Sequence, residues 1–343
     1  MTIGPAGLPV PRNARIAVVA FDNRGNELGR ISGGAITSAT TVSWRHGLTT
    51  ATAESVVTLT ETGSSRFPID ENMIEGAAPN PRSGGALFWF NTARPDGPTV
   101  PYRNNYVMTR ADTAAKEGAV PGMMVTAGHC DTSAYGVVAD FDDIVSGRPN
   151  ARHRLYELTT SGEPPARGEW DYPTEFRPIS RTSVCSADGS AIYNIYGSAA
   201  ALRDETGKFE LTLVRLDTST GARTETPIDM AGHPAATAPN TLTFVEDRLF
   251  WLSEDGTVLS TPVAGPLNRV REEWHLPQSG KHLQAAVSGT TVASIDYENT
   301  PVYTEHDLLT GRQLRGPINL PWLKAALKNY DGSTLTNVTS VPE

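Results

Sequence analysis

The chain has 343 residues, 38% hydrophobic and 20% charged, with a net charge of -9 and a mean hydropathy of -0.30. That acidic balance lacks the basic face of a nucleic-acid binder and disfavours electrostatic docking on anionic lipid. No run of about 18 apolar residues occurs, so no segment reads as a transmembrane helix.

Residues 1–13 are rich in Pro and Gly and read as an extended surface segment. They have no basic stretch followed by an apolar one, so they do not read as a signal peptide. A cytoplasmic protein fits, and so does an extracytoplasmic one whose signal or anchor lies outside these residues. Residues 14–21 and 27–31 then read as two strands around the turn Asp22-Asn-Arg-Gly25, the back half of a four-stranded sheet.

Six complete four-stranded units follow, at 38–70, 73–121, 122–170, 183–229, 241–276 and 283–320. The unit 183–229 is the clearest. Ser183-Val-Cys185 leads into the tight turn Ser186-Ala-Asp-Gly-Ser190, in which Asp bonds its own backbone and Gly supplies a positive φ. Residues 191–196 form the second strand, and Phe209-Glu-Leu-Thr-Leu-Val-Arg-Leu216 alternates apolar and polar as the third. Asp217-Thr-Ser-Thr-Gly221 turns the chain into a fourth strand over 222–228.

At the C-terminus, residues 323–328 and 334–340 flank Asn329-Tyr-Asp-Gly-Ser333, which matches the 186–190 turn and supplies the missing front half. Residues 324–328 carry the one helical hint, held to about one turn by Pro321 and Asp331-Gly332. Corresponding turns at Gly25 and Gly311 imply a mean repeat of about 48 residues, within the propeller range. The expected fold is all-β: a seven-bladed β-propeller over residues 14–343, closed by strands from both termini so that no sheet edge stays open.

Ser186-Ala-Asp-Gly-Ser-Ala-Ile-Tyr193, Asn329-Tyr-Asp-Gly-Ser-Thr-Leu335 and Leu216-Asp-Thr-Ser-Thr-Gly221 resemble the repeats of YVTN/YncE-type bacterial β-propellers. That resemblance implies the fold and little of the function, because such propellers include lactonases, lyases and scaffolds. More loosely, a free-standing propeller rich in Arg (24 Arg to five Lys), Ala, Gly and Pro is similar to the extracytoplasmic propellers of mycolate-envelope actinobacteria. The second resemblance implies a membrane partner and a glycolipid of the trehalose mycolate type.

Val125-Thr-Ala-Gly-His-Cys130 resembles the histidine motif of trypsin-like proteases, but no Gly-Asp-Ser-Gly segment follows to supply a nucleophile. Cys130 lies six residues before Gly136 and Cys185 six before Ala191, each just ahead of the second strand of its unit, the equivalent positions at which two inner strands can approach within disulfide reach. A bridge there implies an oxidising compartment, and two buried free thiols are the alternative. The seven histidines are scattered without metal-ligand spacing, so no metal and no cofactor is expected. The acidic pairs Asp142-Asp143 and Glu246-Asp247 read as a loop opening and a solvated hairpin.

The long connections cluster in consecutive units at 95–104, 142–151, 168–180 and 198–208, on the propeller face where second-to-third-strand and inter-blade loops gather. They present Tyr102, Arg103, Asp142 and Arg148, then Trp170, Tyr172, Phe176 and Arg177, then Arg203. Aromatic rings with guanidinium groups suit stacking on sugars and clamping of anions. The alternative role for Trp170 and Phe176 is to pin the loop to the blade beneath. The sequence thus reads as a non-catalytic extracytoplasmic binding or scaffold propeller for a glycolipid, a sugar-containing ligand or an envelope protein. The rivals are a lactonase- or lyase-like hydrolase using channel-mouth carboxylates, and a pure protein–protein scaffold.

Overall fold

Short polar side chains set the corners of this molecule. In a computed structural model of the chain, Asp217 Oδ1 accepts hydrogen bonds from the backbone and the hydroxyls of Ser219 and Thr220, and Gly221 sits at φ 69°. Asp307 binds Thr310 in the same way, with Gly311 at φ 68°. Asp188 gathers Ser186 and Ser190 around Gly189, and those bonds hold its carboxyl down at about 2. Each corner reverses the chain within a few residues, so short strands of two to nine residues stack into antiparallel sheets.

The structure describes residues 1–5, 14–35, 40–71, 73–80, 84–92, 102–111, 113–198, 211–238, 241–265, 268–277, 283–329 and 333–340. Within them, strands group into seven sheets of four or more strands, the seven blades of a propeller. Blade 2 spans Thr41–Trp44 to Gly63–Pro68, blade 3 Ile74–Pro79 to Lys116–Pro121, and blade 4 Met123–Cys130 to Ala166–Pro173. Blade 5 runs from Phe176–Pro178 to Arg223–Asp229, with Asn268–Arg269 added in parallel at its outer edge. Blade 6 runs from Thr243–Val245 to Arg271–His275, and blade 7 from Leu283–Ser288 to Gln313–Asn319.

Closure differs in detail from the sequence reading. The innermost strand of blade 1 is Ser333–Asn337, and the second is Thr2–Pro5, which pairs with it and with Arg15–Phe21. Three strands thus come from the N-terminus and one from the C-terminus. The opening residues belong to the sheet, with Thr2 and Ile3 fully buried. Arg15–Phe21 lies one strand away from Ser333–Asn337, not beside it. Residues expected as a strand before the final turn form the helix Leu323–Asn329. Leu323 and Ala326, one helical turn apart, bury against blade 1 beside Ile3 and Leu335. The Tyr330–Gly332 part of the expected turn lies outside the described residues.

In blades 1, 5 and 7 the third turn also docks on the preceding blade, and its glycine leaves room for the contact. A Cβ on Gly25 would meet Asn319 O at 2.3 Å, one on Gly221 would meet Gly168 N at 2.4 Å, and one on Gly311 the Trp274 ring at 2.8 Å. Aromatic side chains bond the same turns: Trp274 Nε1 donates to Leu308 O at 2.8 Å, and Trp322 Nε1 to Gly25 O at 2.7 Å. Between blades the core is filled by large rings, Trp44, Trp89, Trp251 and Phe88 among them, all at most 2% exposed. Gly76 leaves room for Trp89, whose ring a Cβ there would meet at 2.2 Å.

Candidate functional site

The residues expected to form a ligand face sort into two groups. Tyr102 is buried, stacks on Phe141 at 4.2 Å between centroids and donates to Asn91 Oδ1. Burial pushes its phenol up to about 12. With Asp140, Asp142, Arg154 and Tyr156 it lines a cavity of about 100 Å³ between blades 3 and 4. Asp142 is exposed in the first turn of the helix Phe141–Val145, which Asp140 caps. Asp143 holds Arg148 at 2.5 Å and accepts from Arg152 N, so that carboxylate fixes its own loop. Arg103 and Arg177 are exposed, and Arg203 lies outside the described residues.

The second group packs inward. The stretch 168–180, read as a loop, is mostly strand: Ala166–Pro173 closes blade 4 and Phe176–Pro178 opens blade 5. Tyr172 is buried, edge-on to Tyr196, Phe176 and His153. Trp170 stacks on His153, and the Arg223 guanidinium lies 4.0 Å above the Tyr172 ring. These rings fill the seam between blades 4 and 5, the pinning role. Burial holds the His153 imidazole below its usual range and pushes the Tyr172 phenol up to about 12.

The same seam carries Cys130 and Cys185, joined as a disulfide with their Cα atoms 5.3 Å apart. His129 sits on the innermost strand of blade 4, where Asn80 Nδ2 donates to its Nδ1 at 3.2 Å. Burial, aided by the charge of Arg110, takes its imidazole down to about 4. Among the described residues, Nε2 has no hydrogen-bond partner. With Nδ1 accepting from Asn80, the neutral ring carries its proton on Nε2 and has no free lone pair to take one from a nucleophile. Among the described residues, no group of three or more His, Cys, Asp or Glu could hold a metal ion.

A larger feature lies on the propeller axis. A cavity of about 630 Å³ is lined mainly by the innermost strands of six blades and, at blade 1, by Thr339 just beyond Ser333–Asn337. That volume is typical of small-molecule sites. Its wall is mainly apolar: Val42, Trp44, Val184, Leu242, Phe244 and Val287 all face it. Arg45, His129 and Glu246 are its ionisable residues. Arg45 and Glu246 sit in the exposed turns between first and second strands, at the end of the cavity opposite the long loops.

Sequence reasoning missed this site. Its residues come from seven separated segments, and no spacing rule joins them. One signal was present: Val42 and Trp44 are apolar on a strand whose other face, Thr41 and Ser43, is also buried.

No family model matches the chain, and no curated sequence matches it. Solved structures do match. The β-propeller domain of Cps50 (Swd1) from Myceliophteria thermophila is 13% identical, covering 82% of this chain and 86% of that one, with a TM-score of 0.48. Apo AztD from Citrobacter koseri is 10% identical, covering 87% of this chain and 78% of that one, with a TM-score of 0.45. At such identities and TM-scores neither likeness says what this chain does.

Proposed function

We propose that this propeller is a non-catalytic binding module of a bacterial cell envelope, and that its axial cavity holds the apolar part of a glycolipid delivered to or taken from a membrane partner. The observation that carries the reading is the axial cavity of about 630 Å³, walled by apolar side chains from the innermost strands. A hydrolase assembled at the channel would want three or more inward Asp, Glu or His, and the described lining offers His129 and Glu246. The disulfide supports an extracytoplasmic location, since such bonds persist in oxidising compartments. YVTN-like ancestry fits the turn chemistry and adds no ligand.

Native mass spectrometry of protein purified from its own host without detergent tests the reading. A co-purifying lipid, lost when Leu242→Trp fills the cavity, is the expected result. Protein that emerges ligand-free and fails to take up trehalose-based glycolipid from vesicles defeats it.

A further inference from the structure

The axial cavity has two unlike ends. The innermost strand of blade 5 is broken: Phe176–Pro178 and Val184–Cys185 both pair with Ala191–Ser198, and the residues between them leave the sheet. They cross toward blade 4, where Ala127 N donates to Arg181 O at 3.1 Å and Ser183 N to Ala127 O at 2.8 Å. Gly128 permits this approach, since a Cβ there would meet Ser183 O at 2.3 Å. Beyond blade 4 the strap reaches blade 3. Thr182 Oγ1 donates to Ala77 O at 2.6 Å, and Arg181 meets Glu75 at 3.5 Å. A chord from blade 5 to blade 3 therefore crosses the ring, fastened one residue later by Val184–Cys185 and the disulfide.

Thr182 and Ser183 of this strap line the cavity beside Ala77, Thr41 and Leu242, while its other limit is set by Arg45, Glu246 and Thr290 at the first-to-second-strand turns. Several of the hydroxyls inside are already engaged. Ser43 bonds Thr339 at 2.6 Å, Ser183 bonds Thr126 at 2.9 Å, and Thr41 bonds Thr2 at 2.6 Å. A sugar drawn inside would find few free partners, His129 Nε2 among them, at a cost of roughly 1–3 kcal/mol for each polar group left unpaired. A hydrocarbon chain meets no such penalty and removes its own surface from water.

We infer that the cavity is a blind pocket, floored by the 180–183 strap, that takes the acyl chain of an amphiphile tail-first through the face of the first-to-second-strand turns and leaves its polar head outside between Arg45 and Glu246. The inference rests on the proposed binding role and adds to it the ligand portion, the entry face and the purpose of the strap. It places exchange with a membrane partner on the face opposite the long loops.

Contact quenching tests it. Dibrominated stearic acid quenches tryptophan only at contact, and Trp44 is the tryptophan lining the cavity. Both native cysteines are bonded, so a thiol introduced by Glu246→Cys at the mouth or by Glu175→Cys on the long-loop face can be labelled alone with a polyethylene-glycol maleimide. Uptake by each labelled variant is read against the same variant left unlabelled. Labelling Glu246→Cys should weaken uptake by about tenfold or more, a loss of about 1.4 kcal/mol, and labelling Glu175→Cys should leave it unchanged. Uptake indifferent to the mouth label, or blocked by the label at position 175, overturns the entry face while leaving the binding role standing. Absence of quenching in the unlabelled parent overturns the binding role and the inference together.

Discussion

Replacing Cys130 and Cys185 together by alanine removes one covalent tie between blades 4 and 5. The bridge closes a loop with a sequence separation of 55 residues. Chain entropy for a loop of that length gives about 4 kcal/mol of stabilisation at room temperature, and bridges of this kind deliver 2–4 kcal/mol in practice. Little native structure should change, because the strap keeps its bonds to Ala127, Thr126 and Asn194. The assay is equilibrium urea unfolding followed by tryptophan fluorescence and by far-ultraviolet circular dichroism, whose coincidence checks that the ring unfolds as one unit. The double variant should lose about 2–4 kcal/mol, and parent protein under reductant should fall to the same value. A loss under about 0.5 kcal/mol would refute the reasoning, since blades 4 and 5 would then stay joined in the unfolded chain.

Three further outcomes follow from the same contacts. Burial holds His129 neutral with its imidazole at about 4, against an ordinary 6.5, and His153 and His306 are lowered as well. The unfolded chain binds more protons in that window, so stability is full above pH 6.5 and falls toward pH 4, by about 3 kcal/mol for His129 alone. Urea midpoints measured against pH should show the slope, and His129→Gln should flatten part of it. Gly128→Ala forces Ser183 away and should cost about 1–3 kcal/mol in thermal or urea unfolding, whereas Gly29→Ala, with nothing within 4 Å of its Cβ, should be neutral. Deleting residues 333–343 strips the innermost strand from blade 1 and exposes the edge of Thr2–Pro5, so size-exclusion chromatography should show oligomers or loss of soluble protein.

Much of the fold was legible because its corners are chemically distinctive. Asp-Thr-Ser-Thr-Gly and Ser-Ala-Asp-Gly-Ser each encode one turn geometry, and their spacing counts the blades. Thr2–Pro5 was not legible. A strand of four residues ending in Gly-Pro, followed by more Pro and Gly, carries the marks of a surface tail, and only pairing with Ser333–Asn337 makes it a strand. The helix Leu323–Asn329 was visible in Leu323, Ala326 and Leu327, but the Asp-Gly that follows pulled the reading toward a hairpin. Pro173 and Pro178 similarly disguised two strands as a loop, because each proline stands at a strand end where no ladder donor is needed.

The site was less legible than the fold for a geometric reason. Aromatic and arginine side chains in long connections look like ligand groups, yet Trp170, Tyr172 and Arg223 spend their faces on one another in the seam between blades. The axial cavity depends on which face of each innermost strand points to the axis. The 180–183 strap in blade 5 further decides that one end is floored.

A crystal of the protein soaked with dibrominated stearic acid tests the central claim most directly, because bromine can be located by its anomalous scattering. Bromine peaks on the axis, between Trp44 and Leu242 and on the mouth side of Thr182, are the predicted result. Peaks in the small cavity beside Tyr102 or on the long-loop face, or none at a saturating concentration, would contradict it.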